Sequence, residues 1–164
     1  MNPIPSDPAA LFLLNQRQHE ILLNHLPEDL WLAKPPNNTR PIAAIFTHIH
    51  NVRSKWIRLN AAHLGVPTQL HRSRCTQEQA RTALAESAAR CAAMLTEAFA
   101  NPQSQFRRDA LAAPWAAGPA MLAYMLTHEA HHRGQICMLA RQLGHPLPGK
   151  ITSALWNWER LVSA

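Results

Sequence analysis

Apolar residues recur every three or four positions over most of this chain, the spacing typical of amphipathic helices. The pattern predicts four long helices whose ends carry the expected signals. Asp7 and Pro8 open the first, over residues 9–26, and Pro27 ends it. The second helix is predicted over residues 41–63, following a linker at 28–40 that is rich in Pro and Asn.

The second half of the chain continues the helical pattern. Thr76 and Gln79 form a capping-box signature at the start of the third helix, which ends near residue 101. The fourth begins near Pro119 and ends at Gly144, a residue suited to a left-handed cap. Residues 103–118 are ambiguous; their large apolar side chains are predicted to pack over an opening between the helices. These side chains are Phe106, Leu111 and Trp115.

A short, Trp-rich helix is predicted after the fourth long one, around residues 155–161, and no stretch alternates as a strand. The pattern therefore predicts an all-α fold, a four-helix bundle with a short C-terminal helix, as one domain over residues 1–164. Composition agrees, since 47% of residues are hydrophobic, 16% are charged and only five are Gly.

Composition also limits the function. No apolar run reaches the roughly 20 residues of a membrane span, and no export signal is visible, so we expect a soluble, cytoplasmic protein. The net charge of +6 is spread along the chain without a DNA-binding motif, so we expect no nucleic-acid partner. Cys75, Cys91 and Cys137 are too widely spaced to indicate disulfides or a cysteine-based metal site.

Histidines provide the strongest indication of chemistry. His128 and His132 are four residues apart, so they lie on one face of the fourth helix and can share a divalent ion. On the second helix, His48 lies at the edge of the apolar face, whereas His50 lies off it. We therefore predict that His48, His128 and His132 are metal ligands; His131, about 60° from His128, is the weaker choice.

Three neutral imidazoles leave a coordination position open, where a water would be acidified or a thiol held as thiolate. Glu129, Tyr124 and Gln135 are within helical reach to orient a ligand ring, and His131 is predicted to lie behind the ligands or to point outward. Arg133 is predicted to form a structural ion pair, with contact to an anionic substrate as the alternative. The remaining histidines are predicted to lie at the surface or in local hydrogen bonds. These are His19, His25, His63, His71 and His145.

Two stretches carry a family resemblance. They are residues 46–53, read as Phe-Thr-His-Ile-His-Asn-Val-Arg, and residues 127–135, read as Thr-His-Glu-Ala-His-His-Arg-Gly-Gln. With Trp56, Tyr124 and the closing Leu-Trp-Asn-Trp at 155–158, the chain resembles the DinB-like family, which overlaps a group described as metal-dependent hydrolases. The resemblance implies an up-down-down-up bundle that holds nickel or zinc through His48, His128 and His132.

The same resemblance implies thiol-dependent chemistry and frequent homodimers. We therefore expect a metal-dependent enzyme, a thiol S-transferase or a hydrolase, that acts on a small molecule with a low-molecular-weight thiol as a candidate partner. The alternative is a non-catalytic, stress-associated protein whose ion ties the second helix to the fourth. It stays open because no side chain in the sequence declares itself as nucleophile or base.

Overall fold

The computed structural model describes residues 5–35 and 39–163, most of which are helical. The long helices are α1 (Pro8–His25), α2 (Ile42–Asn60), α3 (Gln77–Ala100) and α4 (Pro119–Gln142). The short helices α5 (Gly149–Trp156) and α6 (Trp158–Ser163) follow. The helical class predicted from the apolar spacing is confirmed. Residues 36–38 of the predicted linker lie outside the described residues.

The predicted helix signals take part in real caps. The Asp7 carboxylate accepts a hydrogen bond from the Ala10 N–H at 2.8 Å, which satisfies a donor of the first turn of α1. Thr76 and Gln79 form both hydrogen bonds of a capping box at α3. Gly144 adopts a φ of 86° after α4, a left-handed conformation that costs glycine little.

Three details differ from the sequence-based prediction. α2 ends at Asn60, and a separate 3₁₀ turn (Ala62–Leu64) occupies the rest of its predicted length. The single terminal helix is two helices, because the chain turns at Asn157. Strands β1 (Gln105–Phe106) and β2 (Trp115–Ala116) form an antiparallel pair that the sequence did not indicate, since two-residue strands are too short to show an alternating pattern.

The segment between α3 and α4 packs only in part as predicted. Phe106 is fully buried and contacts the half-buried Trp115, with ring centroids 5.8 Å apart. Leu111, by contrast, is 98% exposed, so the prediction that it packs over the helices is wrong. It lies in the loop between the two strands, beyond the part of the segment that reaches the core.

Two apolar clusters fill the core, and a layer of buried polar residues separates them. α1 and α2 each pack against both α3 and α4, and α1 also packs against α5 and α6. One cluster includes Leu22, Phe46 and Ile136, and the other includes Phe12, Trp56 and Met125. On α1, α2 and α4 the chemistry-bearing residues lie between the two clusters. Because apolar packing on both sides fixes the helices there, polar side chains in this layer meet in defined positions.

Candidate metal centre

Three imidazoles meet at the polar layer. α4 places His128 and His132 one turn apart, and α2 brings His48 against both, with ring centroids 5.5 Å from His128 and 4.7 Å from His132. One nitrogen from each ring lies within 4.8 Å of the other two. We call these residues the histidine cluster. All three sequence-predicted ligands are therefore neighbours, although they come from positions 80 residues apart in the chain.

The geometry of the cluster suits a divalent ion. The Nε2 atoms of His128 and His132 are 3.3 Å apart. With metal–nitrogen distances of about 2.1 Å, two ligand nitrogens lie about 3.0 Å apart in octahedral and about 3.4 Å apart in tetrahedral coordination. Three imidazoles are also a donor set that zinc and nickel accept. A three-histidine group that can hold a metal is thus present between α2 and α4.

Burial keeps the cluster neutral at physiological pH. It lowers the pKa of His48 to about 4, and the charges that His132 and His128 would carry lower that pKa further. The pKa of His128 is also lowered to about 4, first by burial and then by His132. Burial likewise lowers the pKa of His132. Since a metal binds only the neutral imidazole, the fold holds these side chains in the form that coordination needs.

Side chains around the cluster fix its rings. The Nδ1 of His132 lies 2.8 Å from the Gln135 Oε1, so Nδ1 carries the proton and donates it, and Nε2 keeps its lone pair. The ring of Trp56, fully buried, meets His128 edge-on at 5.4 Å. Tyr124 stacks beside His128, with ring centroids 6.3 Å apart and ring planes inclined by 30°. Of the residues predicted to orient a ligand, Gln135 hydrogen-bonds one directly and Tyr124 makes a ring contact.

The other predicted neighbours lie elsewhere. His131 is exposed and lies outside the three-histidine group; it contacts Gln135, and its ring meets His132 edge-on at 5.1 Å. Glu129 is fully buried and points away from it, towards α1 and α2. Arg133 donates a hydrogen bond to Asn15 of α1 and lies in the wall of a separate cavity of about 760 Å³ between α1, α4 and the terminal helices. Burial lowers its pKa to about 10.

Glu129 instead organises a buried polar network. Arg53 donates two parallel hydrogen bonds to its carboxylate, at 2.7 and 2.6 Å, and His19 lies 2.9 Å from the same group. Asn15 and Gln16 of α1 complete what we call the Glu129 network. Burial alone would raise the pKa of Glu129, but the Arg53 charge overrides it and holds that pKa well below its usual range.

Sequence reasoning missed this network and misplaced two histidines. His19, predicted at the surface or in a local hydrogen bond, is fully buried against a residue of α4. His50, predicted off the apolar face, is also fully buried, because the loop before α3 covers this part of α2. Its Nε2 lies 2.9 Å from the carbonyl oxygen of Thr68 in that loop. Arg53 carried no prediction at all.

Comparison with known proteins agrees with the resemblance. A model of the DinB family matches residues 10–158, which is most of the chain, so this protein belongs to the DinB family. A search of curated proteins and a search of solved structures each find no significant match. Among the described residues, no helix has the length and hydrophobicity needed to cross a lipid bilayer.

Proposed function

We propose that this DinB-family protein binds a divalent metal, nickel or zinc, through His48, His128 and His132 and acts as a metal-dependent enzyme on a small molecule. The observation that carries the proposal is the meeting of three neutral imidazoles from two helices. An ion held there would supply Lewis-acid chemistry, lowering the pKa of a water or thiol that reaches it. Thiol transfer and hydrolysis are both reactions of this type.

The residues around the cluster have distinct roles in this proposal. The three imidazoles hold the ion, and Gln135 keeps His132 in the tautomer that presents Nε2. Trp56 closes the inner side of the cluster against water, since it is fully buried beside His128. His48 and His128 are only half-buried, so a substrate can approach them from the solvent side.

A non-catalytic role is the second candidate, and one observation favours it. Among the described residues, no carboxylate or thiol hydrogen-bonds to the histidine cluster. The nearest carboxylate in sequence, that of Glu129, contacts Arg53 and His19 instead. In this case the ion would tie α2 to α4 and stabilise the fold of a stress-associated protein.

We further propose that the single domain is an up-down-down-up four-helix bundle and that it forms a homodimer. The contacts of α1 and α2 with both α3 and α4 support the bundle. The wall of the 760 Å³ cavity supports the dimer, because Met138 (63% exposed) and Trp156 (76% exposed) leave apolar surface uncovered there. Replacing Met138 by Glu should then lower the mass seen by light scattering to that of a monomer, and a wild-type monomer would refute the dimer.

Elemental analysis of the purified protein tests whether a metal is bound. A thiol titration of the cobalt-substituted protein tests whether the open coordination position accepts a ligand. We expect one ion per chain and a new thiolate-to-cobalt absorption band as 2-mercaptoethanol is added. An ion without any thiol or substrate binding would favour the non-catalytic role. Failure of the folded protein to retain zinc, nickel or cobalt would overturn both candidates.

A further inference from the structure

A small cavity lies beside the histidine cluster, on the α2 side. It has a volume of about 120 Å³, room for one compact chemical group rather than a whole substrate. Its wall contains the ring of His48 and the side chains of Asn51 and Thr47. Arg40, which precedes α2, and Arg72, from the loop before α3, complete the charged part of the wall. Among the described residues that line it, two are guanidinium groups and none is a carboxylate.

The loop that carries Arg72 is fastened to α2 next to His48. Asn51 holds it through two hydrogen bonds to Leu70, accepting from the N–H at 2.8 Å and donating to the carbonyl at 3.0 Å. The buried His50 adds a contact to the Thr68 carbonyl oxygen at 2.9 Å. Residues near His48 on α2 therefore anchor the loop, which places the Arg72 side chain in the same cavity wall as His48. The anchoring also explains why His50 is buried.

The electrostatic effect reaches the cluster itself. The charge of Arg40 is one of the causes that lower the pKa of both His48 and His132. Lys55, on the same helix as His48, acts in the same direction on His48 and His128. A pair of guanidinium groups without a carboxylate partner in its cavity favours an anion, since charge-assisted hydrogen bonds from arginine are strong and geometrically specific.

We propose that this cavity is an anion subsite, in which Arg40 and Arg72 bind a carboxylate or phosphate group of the substrate while a neighbouring atom of the same molecule reaches the metal at the histidine cluster. The inference rests on the proposed metal centre and adds the substrate class: small molecules with one compact anionic group close to the reacting atom. The cavity's volume of about 120 Å³ matches one carboxylate or phosphate group.

Paired thiols test the subsite on cobalt-substituted protein. Mercaptoacetate, 3-mercaptopropionate and 4-mercaptobutyrate carry a carboxylate at increasing distance from sulfur, and the matching mercapto-alcohols are neutral. 2-Mercaptoethanesulfonate serves as a tetrahedral anion of the phosphate type. The thiolate-to-cobalt band gives a dissociation constant for each probe. We expect at least one anionic probe to bind about tenfold more tightly than its neutral partner. Whether a carboxylate probe or the sulfonate probe binds more tightly shows which kind of anionic group the cavity prefers.

Arg40→Ala and Arg72→Ala should each remove most of this preference without weakening the binding of cobalt or of the mercapto-alcohols. Arg72→Lys, which keeps the charge without the planar fork, should retain part of it. Arg74→Ala is the matched control, since Arg74 belongs to the same loop but lines another cavity. Equal binding of all charged and neutral pairs would overturn the subsite alone. Absence of any thiol band would instead count against the open position of the metal centre.

Discussion

Two polar clusters lie side by side in the same layer of the molecule, and they differ in how their hydrogen-bonding groups are used. Glu129 follows His128 directly on α4, so the two side chains leave the helix about 100° apart. The Glu129 carboxylate is fully buried and receives hydrogen bonds from Arg53 and Asn15. The rings of His48 and His128 are partly accessible, and the Nε2 atoms of His128 and His132 face one another at 3.3 Å.

The two clusters differ in how much binding capacity they leave for a ligand. The Glu129 carboxylate and the Arg53 guanidinium are bonded to one another and to their neighbours and have little left to offer a ligand, although the buried Nδ1 of His19 has no hydrogen-bond partner. The Glu129 network therefore fixes the helices. Imidazole lone pairs that converge without a protein donor for each are poised for an external partner. The network spans α1, α2, α3 and α4, since Arg53 also donates to Gln16 and to the Leu84 carbonyl oxygen. It therefore holds α2 and α4 in the register that brings His48 to His128.

The largest expected effect comes from breaking the buried ion pair. Glu129→Leu or Arg53→Met alone should lower the free energy of unfolding by about 3–5 kcal/mol, because each leaves an unpaired buried charge. The double variant should recover most of that loss, since it removes both charges. Urea denaturation of metal-free protein measures all three.

The control is Glu97→Ala, which breaks an exposed contact with His63 and should change stability by no more than about 0.5 kcal/mol. Single variants that unfold no more easily than this control would contradict the structural role of the network. A double variant as unstable as the sum of the single ones would show that shape rather than charge dominates.

Metal affinity gives the second-largest effect and concerns the other cluster. His48→Ala, His128→Ala and His132→Ala should each weaken zinc binding by about 100-fold or more, since each removes one of three ligands. Competition with a chromophoric chelator measures the change. His131→Ala is the matched control, because the exposed His131 touches the ring of His132 without belonging to the three-histidine group, and it should change affinity far less than loss of a ligand. Equal losses in the control and in the ligand variants would refute the assignment.

The sequence predicted one cluster and not the other for a physical reason. Two histidines four residues apart form a local pattern, and the edge position of His48 on a helical wheel suggested the third. In the Glu129 network, Glu129 pairs with Arg53 and His19, which are 76 and 110 residues away in the chain, and these pairings follow only from tertiary packing. A signal was nevertheless present: Asn15 and His19 lie within the leucine stripe of α1, and Glu129 lies in the middle of the apolar stripe of α4.

Polar residues inside an apolar stripe are costly unless they find partners, so such positions predict a buried network even when its pairing is unknown. The starts of α1 and α3 were predictable because their caps at Asp7 and Thr76 are local interactions. The burial of His50 was not, since it depends on where the loop at 65–75 folds back over α2. Tertiary contacts of loops leave little trace in helical periodicity.

The pH dependence of stability distinguishes the two clusters further. Burial lowers the pKa of His19 to about 4, against about 6.5 in the unfolded chain. Between these values the unfolded state binds more protons, so stability is complete above pH 6.5 and declines as pH falls towards 4. His19 alone should account for a loss of ~2 kcal/mol between pH 7.5 and pH 5. Glu129, whose pKa is lowered, stays ionised throughout this window.

Urea denaturation of metal-free protein at several pH values measures this loss. His19→Gln keeps a donor for Glu129 without titrating, so its stability should fall less steeply than that of the wild type. The half-exposed His48 and His128 have lowered pKa values as well and should leave a smaller residual slope, reduced by solvent screening. Parallel curves for wild type and His19→Gln would show that His19 is not held neutral by burial.

The smallest predicted effect tests how the histidine cluster is oriented. Gln135 accepts a hydrogen bond from the Nδ1 of His132 at 2.8 Å, which fixes both the tautomer and the ring angle. Gln135→Leu removes the acceptor at similar volume and should weaken zinc binding by about tenfold. Gln135→Glu keeps an acceptor, with added negative charge, and should bind zinc at least as tightly as the wild type.

Gln135 is exposed, so neither change should disturb the Glu129 network, and unfolding of the metal-free variants checks this. Similar zinc affinity for the Leu and Glu variants would mean that the packing of His132 between His48 and His128, rather than its hydrogen bond, sets the position of the ring.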